Sequence, residues 1–146
     1  MPDLSYVHGH TGKPLVGLSV GSFLDEIAAT YGDRDALVSF GQKIRWTYAQ
    51  LTNHSNQLAA GLLEIGLVPG DRLGIWSPNR AEWAVVQFAA AKAGLILVNI
   101  NPAYQVFELE HVLRTAACKA LVAATHFKSS RYLDMIASLG YTMVAA

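Results

Sequence analysis

Cysteine is almost absent from this 146-residue sequence, in which the only thiol belongs to Cys118. One cysteine excludes an internal disulfide framework and a cysteine-based metal cluster, because each of them needs at least two. Cys118 stands just before an apolar run, where a thiol is usually buried and unreactive. We therefore predict a fold held together by its apolar core rather than by crosslinks.

The sequence also lacks an excess of charge, since eleven basic residues balance eleven acidic ones. Nucleic acids and anionic lipid surfaces are bound through clustered positive charge, so neither is an expected partner. The longest apolar run, at residues 84–100, is interrupted by Gln87, Lys92 and Gly94 and is shorter than the about 20 residues that span a bilayer. The first ten residues carry no secretion or import signal. We expect a soluble, cytoplasmic protein.

Several catalytic patterns are missing as well. Residues 9–14 (GHTGKP) place Lys13 beside glycines, but a phosphate-binding P-loop requires an earlier glycine and a following Ser or Thr, where Val7 and Pro14 stand. No Gly-x-Gly-x-x-Gly dinucleotide fingerprint occurs at a strand-to-helix turn. His8 and His10 have no third metal ligand nearby, and no nucleophile has a placed histidine and acid.

Apolar residues, in contrast, make up 52% of the sequence and charged residues 15%, which is typical of a globular chain. The length suits a single domain with its own core. Residues 1–18 contain prolines and glycines without periodicity and are predicted to form an extended lead-in. The folded part is predicted to cover residues 19–146.

That folded part is predicted to begin with a helix, a β-hairpin and a second helix. A helical apolar stripe covers residues 20–31, with Ser22 as the expected cap. The β-formers of residues 36–46 surround a Gly41-Gln42 turn, which favours a tight hairpin. Thr47 and Gln50 match a capping box at the start of the second helix. The buried stripe of that helix is predicted to consist of Leu51, Leu58, Leu62 and Ile65.

From residue 71 onward, short apolar strands alternate with helices. The strands are predicted at residues 72–76, 95–100, 119–124 and 141–144, and the helices at about residues 80–93, 107–117 and 129–139. Strands separated by helices of this length indicate βαβ units, and hence an α/β fold with a mostly parallel sheet covered on both faces. Because Ala145-Ala146 does not resemble a natural terminus, we expect the chain to be part of a longer protein.

Two asparagines are the candidate substrate-binding residues. Asn79 follows the strand of residues 72–76, and Asn101 follows the strand of residues 95–100. Loops outside the carboxyl ends of parallel strands are where ligands usually bind. The alternative for Asn79 is a helix cap after the turn that Pro78 sets, and for Asn101 it is turn chemistry. No catalytic residue and no metal ligand is predicted.

Three ordered motifs carry a family resemblance. Residues 46–51 (WTYAQL) resemble the first conserved motif of adenylate-forming enzymes, and residues 70–72 (GDR) and 91–101 (AKAGLILVNIN) are similar to the motifs that follow. Through them the chain is identified as a member of the adenylate-forming (AMP-binding) superfamily. A closer likeness to its acyl-CoA synthetases rests on residues 5–9, 71–79 and 101–110.

The resemblance implies a two-step ligase in the complete protein. Such enzymes join a fatty carboxylate to ATP with Mg²⁺, releasing pyrophosphate, and then pass the acyl group to coenzyme A. The family's phosphate loop, adenine motif, ribose-binding aspartate and catalytic lysine are expected after Ala146, and residues 46–51 and 91–101 are mainly structural in the family. We therefore expect an inactive N-terminal fragment that binds none of these cofactors strongly. Animal relatives are mitochondrial, so the family analogy gives a mitochondrial location as the alternative to a cytoplasmic one.

A second hypothesis belongs to another class of protein. The chain could act alone as a non-catalytic α/β module that binds a partner or self-associates, an idea motivated by its three tryptophans and its 52% apolar content. Apolar surface left open on such a module would drive association.

Overall fold

The computed structural model describes residue 12 and residues 15–140. Most of the predicted lead-in of residues 1–18, the two lead-in histidines and the predicted strand at residues 141–144 lie outside the described residues. In chain order the elements are α1 (Val20–Tyr31), β1 (Asp35–Ser39), β2 (Ile44–Thr47), α2 (Tyr48–Glu64), β3 (Arg72–Trp76), α3 (Ala81–Lys92), β4 (Ile96–Ile100), α4 (Val106–Thr115), β5 (Ala120–Ala123), β6 (His126–Phe127), β7 (Ser130–Arg131) and α5 (Tyr132–Ser138).

Helix α1 forms where the apolar stripe predicts it, but it is capped one turn earlier than expected. Ser19 has extended backbone angles, and its hydroxyl accepts a hydrogen bond from the Ser22 amide at 3.2 Å. The prediction of Ser22 as the cap was therefore wrong, because two serines spaced three residues apart offer the same local signal and only the backbone turn distinguishes them.

The hairpin and the second helix confirm their local signals. Strands β1 and β2 pair antiparallel, although the left-handed residue of their turn is Lys43 (φ 56°) rather than Gly41. Thr47 and Gln50 form the reciprocal capping box of α2 at 3.3 Å and 2.9 Å. Helix α2 ends before Ile65, whose side chain is 63% exposed, so its place in the predicted buried stripe was wrong.

The predicted parallel sheet is present in the described residues as three strands in the order β4-β3-β5. Strand β3 therefore lies in the middle, and the chain leaves it towards β4 and returns past it to β5. The short antiparallel hairpin of β6 and β7, which follows β5, was not predicted. Its turn includes Lys128 at φ 51°, and two-residue strands are too short to produce a periodic pattern.

Side chains of β3 alternate between two separate cores. Leu73 and Ile75 point into the core shared with α2 and α3, which we name the α2/α3 core. Trp76 points into the core shared with α4 and α5, named the α4/α5 core. Gly74 points the same way as Trp76, because a Cβ there would lie 3.0 Å from Leu121 and 3.2 Å from Ile100. Helices therefore cover both faces of the sheet, as the alternation of strands and helices predicts.

Candidate functional site

The carboxyl edge of the sheet is the candidate site, because the loops after β3, β4 and β5 all leave from it. The loop after β3 leads to α3 on one face, whereas the loops after β4 and β5 lead to α4 and α5 on the other. Neighbouring strand ends whose connections diverge in this way open a crevice, which is the usual ligand position in open α/β sheets. Both predicted asparagines lie at this edge.

Asn79 lies in the bend between β3 and α3 with its side chain exposed. Arg80, not Asn79, is the N-cap residue of α3, so the interpretation of Asn79 as a helix cap was wrong. Within the described part of the chain, the Asn79 amide makes no hydrogen bond that would commit it to a structural task. Its contact with a substrate stays a prediction.

Asn101 is also exposed, but its side chain is engaged in the loop that it begins. Its Oδ1 accepts a hydrogen bond from the Ala103 amide at 2.9 Å, which is the turn chemistry expected for this residue. Its carbonyl oxygen accepts two further bonds, from Trp76 Nε1 at 3.0 Å and from the Tyr104 amide at 3.1 Å. Asn101 thus organises residues 101–104, and its role in binding substrate stays a prediction.

A cavity of about 280 Å³ opens between the ends of β3 and β5 and the first turn of α3. Its apolar wall comes from Ile75, Trp83 and Val86, while Ser77 and Thr125 add hydroxyl groups. Its charged wall is the exposed pair of Arg80 and Glu82, joined by two hydrogen bonds of 2.9 Å and 3.2 Å.

Gln42 supports this charged pair from the distant β1–β2 turn. Its Nε2 donates to Glu82 Oε2 at 2.8 Å, and its Oε1 accepts from the Ala81 amide at 2.7 Å. The second bond satisfies an amide at the start of α3 that the N-cap residue Arg80 leaves without a side-chain acceptor. A residue 39 positions away in sequence therefore caps α3, and no local signal could have revealed it.

The electrostatics of the cavity suit binding better than proton transfer. The hydrogen bond from Arg80, opposed by burial and aided by Gln42, lowers the pKa of Glu82 to about 2. In return, the hydrogen bond to Glu82 and its negative charge raise the pKa of Arg80. Both groups stay charged at neutral pH, whereas a general acid or base works best with a pKa near the working pH. Burial raises the pKa of the Cys118 thiol, which disfavours the nucleophilic thiolate, although the side chain is only half-buried and not buried as the sequence predicts.

Trp76 and Tyr132 are the site residues that sequence reasoning missed. Their rings stack at a centroid separation of 3.5 Å and an angle of 9°, and both side chains are fully buried. Trp76 Nε1 donates to Asn101 O, and the Tyr132 hydroxyl donates to Pro102 O. The sequence offers one signal for this pair, a tryptophan predicted at the end of a strand and directly before Ser77-Pro78. That signal does not reveal that Tyr132 is the residue on which the tryptophan stacks.

Residue 12 and residues 15–140 contain neither a cluster of metal ligands nor a membrane-spanning helix. No three His, Cys, Asp or Glu side chains come together there in a way that could hold a metal ion. In residues 15–140, no helix combines the length and the apolar character needed to cross a membrane.

Comparison with known proteins gives consistent matches along most of the chain. The sequence profile of the AMP-binding enzyme family matches residues 24–142. The mitochondrial medium-chain acyl-CoA ligase ACSF2 of Mus musculus is 49% identical over 133 residues, and that of Danio rerio is 48% identical over 135 residues. These alignments cover 91% and 92% of this chain and 22% of each relative. The chain thus spans about a fifth of the length of these relatives.

A solved structure supports the same assignment. The N-terminal domain of FACL13 from Mycobacterium tuberculosis, in an inhibitor-bound crystal structure, superposes with a TM-score of 0.77 at 25% identity. The superposition covers 85% of this chain and 30% of that domain. The sheet, the covering helices and the ordered motifs all agree with these matches, and the chain belongs to the AMP-binding enzyme family.

Proposed function

We propose that this chain is the first α/β part of an ATP-dependent fatty acyl-CoA synthetase that acts on medium- or long-chain fatty acids. In that enzyme a fatty carboxylate attacks the α-phosphorus of ATP, so that a carboxyl–phosphate bond forms and pyrophosphate leaves. The thiol of coenzyme A then displaces AMP from the acyl-adenylate. The observation that carries the proposal is the 49% identity with a medium-chain acyl-CoA ligase over 91% of the chain.

Within that enzyme, we assign this chain the role of a scaffold. Adenylation depends on preorganised donors and a metal ion around the developing phosphate charge. The 146 residues contain no Ser/Thr/Gly-rich loop ending in Pro-Lys-Gly. At the cavity, Arg80 stays protonated and Glu82 stays ionised at neutral pH, so neither is suited to transfer a proton. ATP, Mg²⁺ and coenzyme A are therefore assigned to the complete enzyme, with Asn79 and Asn101 as the residues here that reach towards its substrates.

A segment exchange tests the scaffold role directly. In the mouse relative, the 133 aligned residues are replaced by those of this chain, and acyl-CoA formation from octanoate, ATP and coenzyme A is measured. We expect the chimera to retain activity, because the replaced segment keeps the fold and lacks the catalytic groups. A soluble, folded chimera without activity on any fatty acid, beside an active mouse enzyme, would contradict the proposal.

The 146-residue chain itself supplies the matching negative test. We expect no fatty-acid-dependent release of pyrophosphate from ATP and Mg²⁺, since the groups that stabilise the leaving phosphate are not in this sequence. Robust release from a pure sample would show that the chain holds its own catalyst and would overturn the scaffold role.

A second candidate function, the non-catalytic module that self-associates, is favoured by a specific feature of the surface. Leu15, Phe40 and Phe107 are 97%, 96% and 79% exposed, and Ile96 on β4, which lies at the edge of the sheet formed by the described residues, is 50% exposed. Exposed apolar side chains next to unpaired strand edges promote association. Light scattering on the pure chain distinguishes this candidate, which requires a stable oligomer; a clean monomer that binds no hydrophobic dye excludes it.

A further inference from the structure

A buried aromatic pair and the loop at the end of β4 form one connected unit. Trp76 is the last residue of β3, and Tyr132 is the first residue of α5. They come from elements 56 positions apart, yet their rings lie nearly parallel at 3.5 Å, and neither side chain has any exposed surface. Packing alone would be served equally well by Phe in place of Tyr132, because the stacking needs only the ring, whereas Phe in place of Trp76 would also lose the volume of the second indole ring.

The polar ends of the two rings both reach the loop of residues 101–104. The indole Nε1 donates to Asn101 O at 3.0 Å, and the phenol donates to Pro102 O, which is the next carbonyl along the chain. Burial raises the pKa of Tyr132, so the phenol keeps the proton that it donates. Loss of the phenol would remove the donor to Pro102 O, and loss of the indole N–H would leave Asn101 O with the Tyr104 amide as its remaining donor.

The other hydrogen bonds described for residues 101–104 are local, and the Tyr104 side chain also packs against the α4/α5 core. The Ala103 amide is bonded to Asn101 Oδ1 and the Tyr104 amide to Asn101 O, so both amides depend on the orientation of Asn101. Gln105 adds a weak bond of 3.4 Å to Ser130 in the β6–β7 hairpin. The Trp76–Tyr132 pair therefore supplies the two side-chain donors that tie this loop, at the candidate site, to distant elements of the fold.

We infer that Trp76 and Tyr132 are positioning residues that hold the loop of residues 101–104 as a wall of the fatty-acid site. This inference deepens the proposed function and rests on it for the identity of the substrate. The loop sequence Asn-Pro-Ala-Tyr carries no charge, so it suits the uncharged acyl chain and offers no cation to the phosphates of ATP. A wall held by two buried donors keeps its shape whether or not substrate is bound.

The first test removes single donors from the 146-residue chain and follows amide hydrogen exchange by NMR. Tyr132→Phe removes the hydroxyl and keeps the ring, so it is the cleaner variant; Trp76→Phe removes the indole donor together with part of the buried ring volume. In both variants we expect exchange at Ala103 and Tyr104 to accelerate about tenfold, the equivalent of one lost hydrogen bond. The Leu95 amide, bonded to Ala90 in the α2/α3 core, serves as the internal reference and should not change.

Tyr48→Phe is the matched control. Tyr48 is half-buried against the cluster of α1, α2 and α3, and within the described residues its hydroxyl makes no hydrogen bond. This control should leave exchange at Ala103 and Tyr104 unchanged. Equal loop exchange in Tyr132→Phe, Trp76→Phe and the unsubstituted chain would overturn the inference without touching the proposed function.

The second test places Tyr132→Phe in the active mouse chimera and measures steady-state kinetics at a temperature where both proteins are fully folded. We expect the KM for octanoate to rise about three- to tenfold, with kcat and the KM for ATP each changing by less than about twofold, because a loosened wall weakens acyl binding and leaves the chemistry intact. A purely structural pair would lower thermal stability and leave all three constants unchanged. That result, or a rise confined to the KM for ATP, would overturn the inference; an inactive unsubstituted chimera would instead overturn the proposed function and this inference together.

Discussion

The two faces of the sheet are built differently, although one strand supplies both. On the α2/α3 side, Leu73 and Ile75 meet closely packed alanines such as Ala89 and Ala90, and the core is entirely apolar. On the α4/α5 side, Gly74 leaves room for Ile100 and Leu121, and Trp76 stacks on Tyr132.

The difference assigns separate tasks to the two cores. The α2/α3 core contributes stability and, through Ile75, Trp83 and Val86, the apolar wall of the cavity, but within the described residues none of its side chains donates a hydrogen bond to a loop. The α4/α5 core contributes stability and also holds a loop, because each ring of its central pair ends in a hydrogen-bond donor. A shift of one residue along β3 therefore separates a packing residue from a positioning residue.

Truncation of the central strand should show this difference with the largest effect. We expect Trp76→Ala to lower the free energy of unfolding by about 3–5 kcal/mol and Leu73→Ala by about 2–5 kcal/mol, since both leave cavities in full cores. Urea denaturation measures both values. In Trp76→Ala, exchange at Ala103 and Tyr104 should also rise beyond what the stability change explains, and in Leu73→Ala it should not. Faster exchange in the loop of residues 101–104 in both variants would contradict the claim that only the α4/α5 core holds this loop.

The capping role of Gln42 gives a smaller effect confined to the α2/α3 side. Gln42→Ala removes the acceptor for the Ala81 amide and the donor to Glu82, so we expect a loss of about 1–2 kcal/mol of stability. Gln57→Ala, at an exposed position of α2, is the control and should change stability by less than about 0.5 kcal/mol. Urea denaturation of both variants measures these values. If Gln42→Ala were as stable as Gln57→Ala, the proposed capping of α3 by Gln42 would be wrong.

The ion pair at the start of α3 should give the smallest effect, visible only in acid. Because the pKa of Glu82 is lowered from 4.5 to about 2 in the folded chain, its charge contributes stability above pH 4.5 that is lost as the pH falls towards 2. The pair is largely exposed, with 55% of the Glu82 side chain accessible, so the contribution is at most about 1 kcal/mol.

Glu82→Gln tests this sign through stability measured between pH 2 and pH 6. The variant should lose less stability than the unsubstituted chain over that range, because the carboxylate that must be protonated is gone. Glu64→Gln is the control, since within the described residues its carboxylate has no ion-pair partner, and its pH profile should follow that of the unsubstituted chain. A steeper acid loss in Glu82→Gln would reverse the assignment.

Local sequence signals determined most of the secondary structure and the family. The Thr47–Gln50 capping box, the β-formers of the hairpin and the alternation of strands and helices act between near neighbours, so each can be read without knowing the fold. The ordered motifs pointed to adenylate-forming enzymes, which the family match confirms. The errors, such as Ser22 as a cap and Ile65 in a buried stripe, concern element ends, where one turn of backbone decides the outcome.

Only the tertiary structure decided which residues share the candidate site. Gln42 reaches α3 across 39 positions, and Tyr132 reaches the loop after β4 across 30, and neither contact leaves a trace in local sequence periodicity. Both depend on how the chain crosses from one face of the sheet to the other, because that crossing sets which strand ends and loops become neighbours. The sequence by itself determined the elements and the family, whereas the packing of distant elements determined the geometry of the site.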